Sequence, residues 1–338
     1  MTATVVLSLA QAQDLCFAAA LGVGADQRAA RSIARAAVAA EADGQPTVGV
    51  AHLLDYLNGF REGRIAVGAE PALSRPSPII IQSDAGGGVA QLGFDLAFDE
   101  LTAAARRFGI AIFAQRNAYT CGALGYFVSR LAEQGLVALA ATNGPALLAG
   151  SGSTKPVYCT NPLAFAAPGT DGMALLLDQA SSATAFVNIR QAAESGASIP
   201  SDWAIDSDGA PTTDPARAMK GALLAFGGAR GANIALMVEV LAAGLTGANW
   251  SLDAPSFTEG SETPGSGMFV LAIEPNIIQA DFAPRLERHL TRLSNEYGVH
   301  IPGRAKRESR RRAAEGGLEI PLSVVEELEA AAGEPRDR

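Results

Sequence analysis

Apolar and polar residues near the start of the chain alternate at helical spacing. Residues 8–42 are alanine-rich with polar punctuation, and Gly22 and Gly24 interrupt the pattern, which predicts a helical hairpin. A further helix is expected over residues 50–60. The Pro/Ser-rich residues 71–78 read as a connection between domains. A short β-branched run follows from Pro78 and stops at Asp84-Ala-Gly-Gly-Gly, and a helix is expected over residues 93–108. Beyond it, strand-like runs at 110–115, 137–142, 164–167, 174–177 and 268–273 are interspersed with helical text, including residues 123–134. That alternation predicts an α/β domain. Residues 232–245 form an apolar stretch expected to be a buried helix. Residues 280–297 are amphipathic, 304–312 are basic, and 321–331 supply a terminal helix. No internal repeat at solenoid periods is present.

Composition narrows the class. With 338 residues, 48% hydrophobic and 18% charged, the chain has enough apolar text for a sizeable core and one or two domains. A net charge of −9 opposes a nucleic-acid partner, because neutralising phosphate needs a basic face. Cys16, Cys121 and Cys159 contain no CxxC pair and His52, His289 and His300 are scattered, so neither a disulfide framework nor a metal site is expected. No apolar stretch reaches the ~18–20 residues that cross a bilayer, and no basic leader precedes the first apolar run. A small-molecule substrate and cytoplasmic residence are the expectation.

The usual nucleotide signatures are absent. Gly86-Gly87-Gly88 follows a strand, yet it has neither GxGxxG spacing nor a Walker lysine and reads as a tight turn. Longer strings carry more information. In one order the chain contains Asn117-Ala-Tyr-Thr-Cys-Gly-Ala-Leu-Gly-Tyr126, Tyr158-Cys-Thr-Asn-Pro-Leu-Ala-Phe-Ala166, Leu177-Asp-Gln-Ala-Ser-Ser182 and Phe226-Gly-Gly-Ala-Arg-Gly-Ala232. Trp203-Ala-Ile-Asp-Ser-Asp-Gly lies between the last two, and Ile301-Pro-Gly303 followed by basic residues closes the series.

By these strings the chain resembles the malate/L-lactate dehydrogenase family, a non-Rossmann family that includes ketimine reductases and sulfolactate dehydrogenases. The resemblance implies an α/β fold in which a helical domain from both chain ends (residues 1–75 with 275–338) carries an inserted α/β domain (residues 76–274) that binds the nicotinamide cofactor. A homodimer is the assembly it implies. Carried over by position, Thr120, Cys121, Gly122, Ala123 and Leu124 line the cofactor groove with Asp178, Gln179, Ala180, Ala229 and Arg230. Arg304, Lys306 and Arg307 hold its phosphate or adenosine end, which favours NADPH, with NADH as the other possibility. Thr160 falls on the substrate, as do Thr47, Val48, His52 and Phe186.

The departures from the family are as informative. The family's Ser-His-Gly segment, followed by a carboxylate-binding arginine, reads here Thr47-Val48-Gly49-Val50-Ala51-His52. Its proton-donating histidine is Val48 and its arginine is His52, while the aspartate supporting the donor is Asn188. Valine cannot donate a proton, and general acid catalysis typically contributes about 10²–10⁴-fold. The expected function is therefore NAD(P)H-dependent reduction of a C=N bond in a cyclic imine or ketimine, since an imine can be protonated by solvent. His52, Tyr119 and Asn188 are the candidate catalytic residues. Two other readings stand beside it: a 2-oxo acid dehydrogenase with a relocated donor, and a cofactor-binding isomerase or lyase without redox chemistry.

Overall fold

A computed structural model describes residues 3–333. The hairpin forms as two helices, Leu9–Gly22 and Gln27–Ala42. Ser8 and Gln11 close a capping box on the first, and the Asp26 carboxylate accepts from the Arg28 and Ala29 amides at the second. Gly22 is required by packing, because a Cβ there would collide with the Ala331 carbonyl of the last helix, Leu322–Ala332. The chain ends also meet as strands: Thr4–Leu7 pairs antiparallel with Leu318–Pro321. Ala12, Cys16, Ile33, Leu57, Leu328 and Ala331 belong to one buried cluster joining both ends.

The seven-stranded sheet runs in the order Ala72–Ser77, Ile80–Asp84, Ile110–Ala118, Ser266–Ile273, Val137–Thr142, Leu163–Gly169, Gly172–Gln179. Only Ile80–Asp84 and Ile110–Ala118 pair in parallel, joined through the helix Ala90–Phe108. Every other neighbour is antiparallel, so this is not a doubly wound sheet. Helices Ala90–Phe108 and Gly125–Glu133 bury Phe94, Leu101, Phe127 and Leu131 together with Ala138, Ala140 and Val270 of the sheet. Ala141, in the alternate register, packs with Val238 and Ala242. Burial on both faces explains why Val137–Thr142 reads as an unbroken apolar run.

Three expectations are revised. Residues 71–78 are not a free connection: Ala72–Ser77 is the sheet's edge strand, where Pro76 costs no ladder bond. In the segment 50–60 the α-helix begins at Leu53, after two 3-10 turns, Pro46–Val48 and Val50–His52. The apolar helix spans Ala229–Glu239 and continues as a π-helical turn Val240–Gly244, but it leaves Leu236, Met237, Val240 and Leu245 exposed. Gly267 lets this turn approach the sheet, since a Cβ there would overlap the Ala242 carbonyl. The helix Phe282–Tyr297 packs on the sheet through Leu290 with Ala174 and Ile301, and only the later segments rejoin the N-terminal helices. Among the described residues no helix is long and apolar enough to cross a membrane.

Candidate functional site

The two 3-10 turns before helix Leu53–Arg61 are held from beneath by a carboxylate. Glu41 Oε2 accepts from the Val50 amide at 2.8 Å, and a Cβ on Gly49 would strike that carboxylate. Burial pushes the Glu41 carboxyl above its ordinary range, against the opposing Val50 hydrogen bond. This arrangement leaves Thr47 exposed and Val48 half-buried. At the end of the second turn His52 Nδ1 lies 2.8 Å from Asp55 Oδ2, one helical turn on. The imidazole is 21% exposed, so it is reachable from outside.

Tyr56 links this segment to the strand-to-helix loop that holds residues 120–124. Its ring meets His52 edge-on, its hydroxyl donates to the Thr120 carbonyl at 3.1 Å, and Gln91 Nε2 donates to the hydroxyl at 2.8 Å and to the Cys121 carbonyl at 3.0 Å. Gly122 has φ +66 and comes within Cβ contact of the Tyr56 hydroxyl, so the loop passes closely over it. Gln91 Oε1 is buried with no partner. Tyr119 sits below this layer, 2% exposed, with its hydroxyl donating to the Phe257 carbonyl at 2.9 Å. Burial raises its pKa further, so the side chain packs the site from behind.

On the other side of the loop, Asp178 Oδ2 accepts from the Gly125 amide at 2.9 Å and lies 3.7 Å from Lys306 Nζ, which also donates to Gln45 Oε1 at 2.9 Å. Residues 120–124, Asp178 and Lys306 are thus brought together. Gln179 ends its strand and Ala180 follows, where the Ser181 amide donates to the Thr160 carbonyl at 2.8 Å, so Thr160 joins the same wall. Ala229 and Arg230 open a helix after Gly227 and Gly228, both left-handed, and Ala229 lines a cavity of about 440 Å³ with Gly150, Ser151 and Ala183. Arg304 and Arg307 are engaged elsewhere, with Ser294 Oγ at 2.6 Å and the Met173 carbonyl at 3.2 Å. Phe186 starts a helix, Phe186–Ser195, that contains Asn188; its Nδ2 donates to Thr184 Oγ1 at 3.0 Å.

The sequence profile of the malate/L-lactate dehydrogenase family matches residues 7–329. The chain belongs to the malate/L-lactate dehydrogenase family. It is 37% identical to the (2R)-3-sulfolactate dehydrogenase (NADP(+)) of Chromohalobacter salexigens, over 97% of this chain and 98% of that one. It is 35% identical to the Δ1-pyrroline-2-carboxylate reductase of Ancylobacter novellus, over 98% of each. The crystal structure of Δ1-piperideine-2-carboxylate reductase from Pseudomonas syringae superposes with a TM-score of 0.92 at 33% identity, covering 97% of this chain and all of that one. Membership makes the protein a nicotinamide-dependent oxidoreductase.

One network in this family member has no counterpart in the sequence reading. Glu239, 4% exposed, accepts from the Ser251 amide (2.6 Å), Ser251 Oγ (2.7 Å) and Asn161 Nδ2 (2.7 Å). Ser251 Oγ in turn accepts from the Cys159 amide at 3.1 Å, and Ser181 Oγ donates to the Asn161 carbonyl at 2.8 Å. Asn161 adopts φ +38, a left-handed conformation that a short amide side chain tolerates. Glu239 therefore fixes the turn that carries Thr160. The available signal was a single acid inside an otherwise apolar helix. Asp55 was missed too, although its spacing from His52, one helical turn, was visible.

Proposed function

We propose that this protein is an NADPH-linked reductase of a C=N bond in a small cyclic or alkyl imine. The reading is supported by one observation: Val48, which the resemblance sets at the family's donor position, is apolar and half-buried, and Asn188, set by it at the supporting position, is an amide tied to Thr184. Reduction of a 2-oxo acid needs a proton at oxygen as the bond polarises, and valine supplies none. An imine nitrogen takes its proton more easily. The Ancylobacter and Pseudomonas relatives are named for C=N substrates, which supports the reaction class.

The residues present fit a nicotinamide dinucleotide. Helix Arg304–Gly316 begins at Gly303 with no side-chain cap, so its first-turn amides suit a phosphate, and Lys306 stands beside them. The unpartnered Gln91 Oε1, next to the Thr120–Cys121 backbone, suits a carboxamide donor. Bound there, a reduced nicotinamide supplies hydride to the imine carbon. The preference for NADPH rests on Lys306, whose ammonium lies beside Asp178 on the wall ascribed to the cofactor, more than on Arg304 or Arg307, whose guanidiniums are turned to Ser294 and to the Met173 carbonyl. Lys306→Ala is expected to weaken NADPH by about tenfold or more, the worth of one charge-assisted hydrogen bond, and NADH less. Nicotinamide fluorescence titrations of both proteins check this, and equal losses for the two cofactors reject the role.

We further propose a cytoplasmic homodimer that buries Leu236, Met237, Val240 and Leu245, since four large apolar side chains exposed within ten residues are costly in water. The reaction class is tested by following NADPH oxidation with 1-pyrroline beside pyruvate and oxaloacetate. Turnover of the imine is expected, and faster turnover of the 2-oxo acids overturns the reading.

A further inference from the structure

We propose that His52 and Asp55 form a relocated proton-delivery pair, in which His52 Nε2 protonates the imine nitrogen and Asp55 holds the imidazole in position. The inference rests on the C=N reading above.

Three independent features place the pair. Asp55 Oδ2 is 2.8 Å from His52 Nδ1, which makes Nδ1 the donor to the carboxylate and leaves Nε2 as the nitrogen that Asp55 does not engage. The imidazole retains 21% exposure while packing edge-on against Tyr56, whose hydroxyl reaches the Thr120 carbonyl in the loop ascribed to the cofactor. Asp55 also lies within electrostatic reach of Arg190 on helix Phe186–Ser195.

The groups surrounding the pair are Tyr56 on the helix that carries Asp55, Arg64 beyond that helix, Arg190 on helix Phe186–Ser195 and Tyr119 behind Tyr56. Burial works against the charge of Asp55, but the His52 hydrogen bond and the positive charge of His52, Arg190 and Arg64 outweigh it and hold the carboxyl below its ordinary value. Asp55 is therefore an anion throughout the neutral range. Burial drives the Tyr56 hydroxyl far above its usual pKa, so Tyr56 stays a neutral hydrogen-bonding spacer and does not compete for the role.

The step balances. As hydride reaches the carbon, the C=N π pair moves to nitrogen, and that nitrogen takes the Nε2 proton of the imidazolium. The resulting neutral imidazole regains a proton from solvent. Asp55 accepts a hydrogen bond from Nδ1 throughout and is itself never protonated, which makes it a positioning residue.

The test uses two substrates with the full-length protein: 1-pyrroline, which must be protonated, and N-methyl-1-pyrrolinium, which carries a permanent positive charge and needs no proton. For His52→Gln, above neutral pH, turnover of 1-pyrroline is expected to fall by about 10²-fold while turnover of the N-methyl cation is kept. Equal losses on both substrates would mean that His52 only packs the site, and retention of both would mean that it donates nothing; either result overturns the pair. If the wild type reduces neither compound, the C=N reading itself has failed, an outcome distinct from the first two. Asp55→Asn provides the second arm. It is expected to lower turnover of 1-pyrroline while turnover of the N-methyl cation is kept, with Asp55→Glu restoring the former; unchanged 1-pyrroline turnover, or equal losses on both substrates, contradicts the positioning role.

Discussion

Replacing Glu239 by alanine is expected to destabilise the protein by about 3 kcal/mol or more and to remove turnover with it. The carboxylate accepts from three donors in a region closed to water. Each buried donor left without a partner costs about 1–3 kcal/mol; the Ser251 amide and hydroxyl lose their acceptor together, while Asn161 Nδ2 keeps only the Ala235 carbonyl. Function is lost for a related reason. The turn Cys159 to Asn161 has its amide, side chain and carbonyl held by Ser251, Glu239 and Ser181, and Thr160 at its centre is held besides through its carbonyl, which accepts from the Ser181 amide. A misplacement of about 1 Å in a substrate contact costs as much as 10²-fold in rate. Urea unfolding and steady-state kinetics on Glu239→Ala, with the exposed Glu326→Ala as control, measure both effects. The control is expected to stay within about 0.5 kcal/mol of wild type. A Glu239 variant equally close to wild type contradicts the network.

The second large effect is a gain. Introducing Val48→His with Asn188→Asp and His52→Arg is expected to raise kcat/KM on 2-oxo acids or ketimine-2-carboxylates by about 10²-fold, the lower end of what a positioned general acid contributes. The three must be combined. A histidine at position 48 without a supporting carboxylate is poorly oriented, and without a guanidinium the substrate carboxylate has no anchor, so the single variants fall well short of the triple. Turnover of an uncarboxylated imine is expected to fall in the same protein. It would meet unpaired polar groups at positions 48 and 52, and it would lose the His52 imidazole. Kinetics of the single and triple variants on both substrate types give the answer. A triple variant that binds NADPH and gains nothing shows that these positions do not face substrate.

Much of the fold is legible in the sequence because its apolar periods are strong. The break at Gly22 and Gly24 lies where the first helix must meet Ala331, and the run at 137–142 is buried on both sides. The elements that escaped are short and depend on distant partners. Thr4–Leu7 becomes a strand only because Leu318–Pro321 lies beside it, and Ala72–Ser77 reads as a linker because an edge strand can contain proline. The site shows the same division. Collinear strings bring residues 120–124, Asp178 and Lys306 to one place, but they do not report side-chain direction. Tyr119 lies in the right string with its hydroxyl committed to the Phe257 carbonyl, and Arg304 lies in the right run with its guanidinium on Ser294. Glu239 and Asp55 act through hydrogen bonds that the order of residues alone does not announce.

In the proposed reading the family site is rebuilt around an imine without a carboxylate, with Val48 as an apolar wall and His52 where a guanidinium would anchor an anion. The most direct measurement is kcat/KM of the wild-type protein, with NADPH, on 1-pyrroline and on Δ1-pyrroline-2-carboxylate under the same conditions. The larger value is expected for 1-pyrroline, because a carboxylate would find no arginine at position 52 and would be desolvated against Val48. A larger value for Δ1-pyrroline-2-carboxylate contradicts it, and would mean that the carboxylate is received by a group other than position 52.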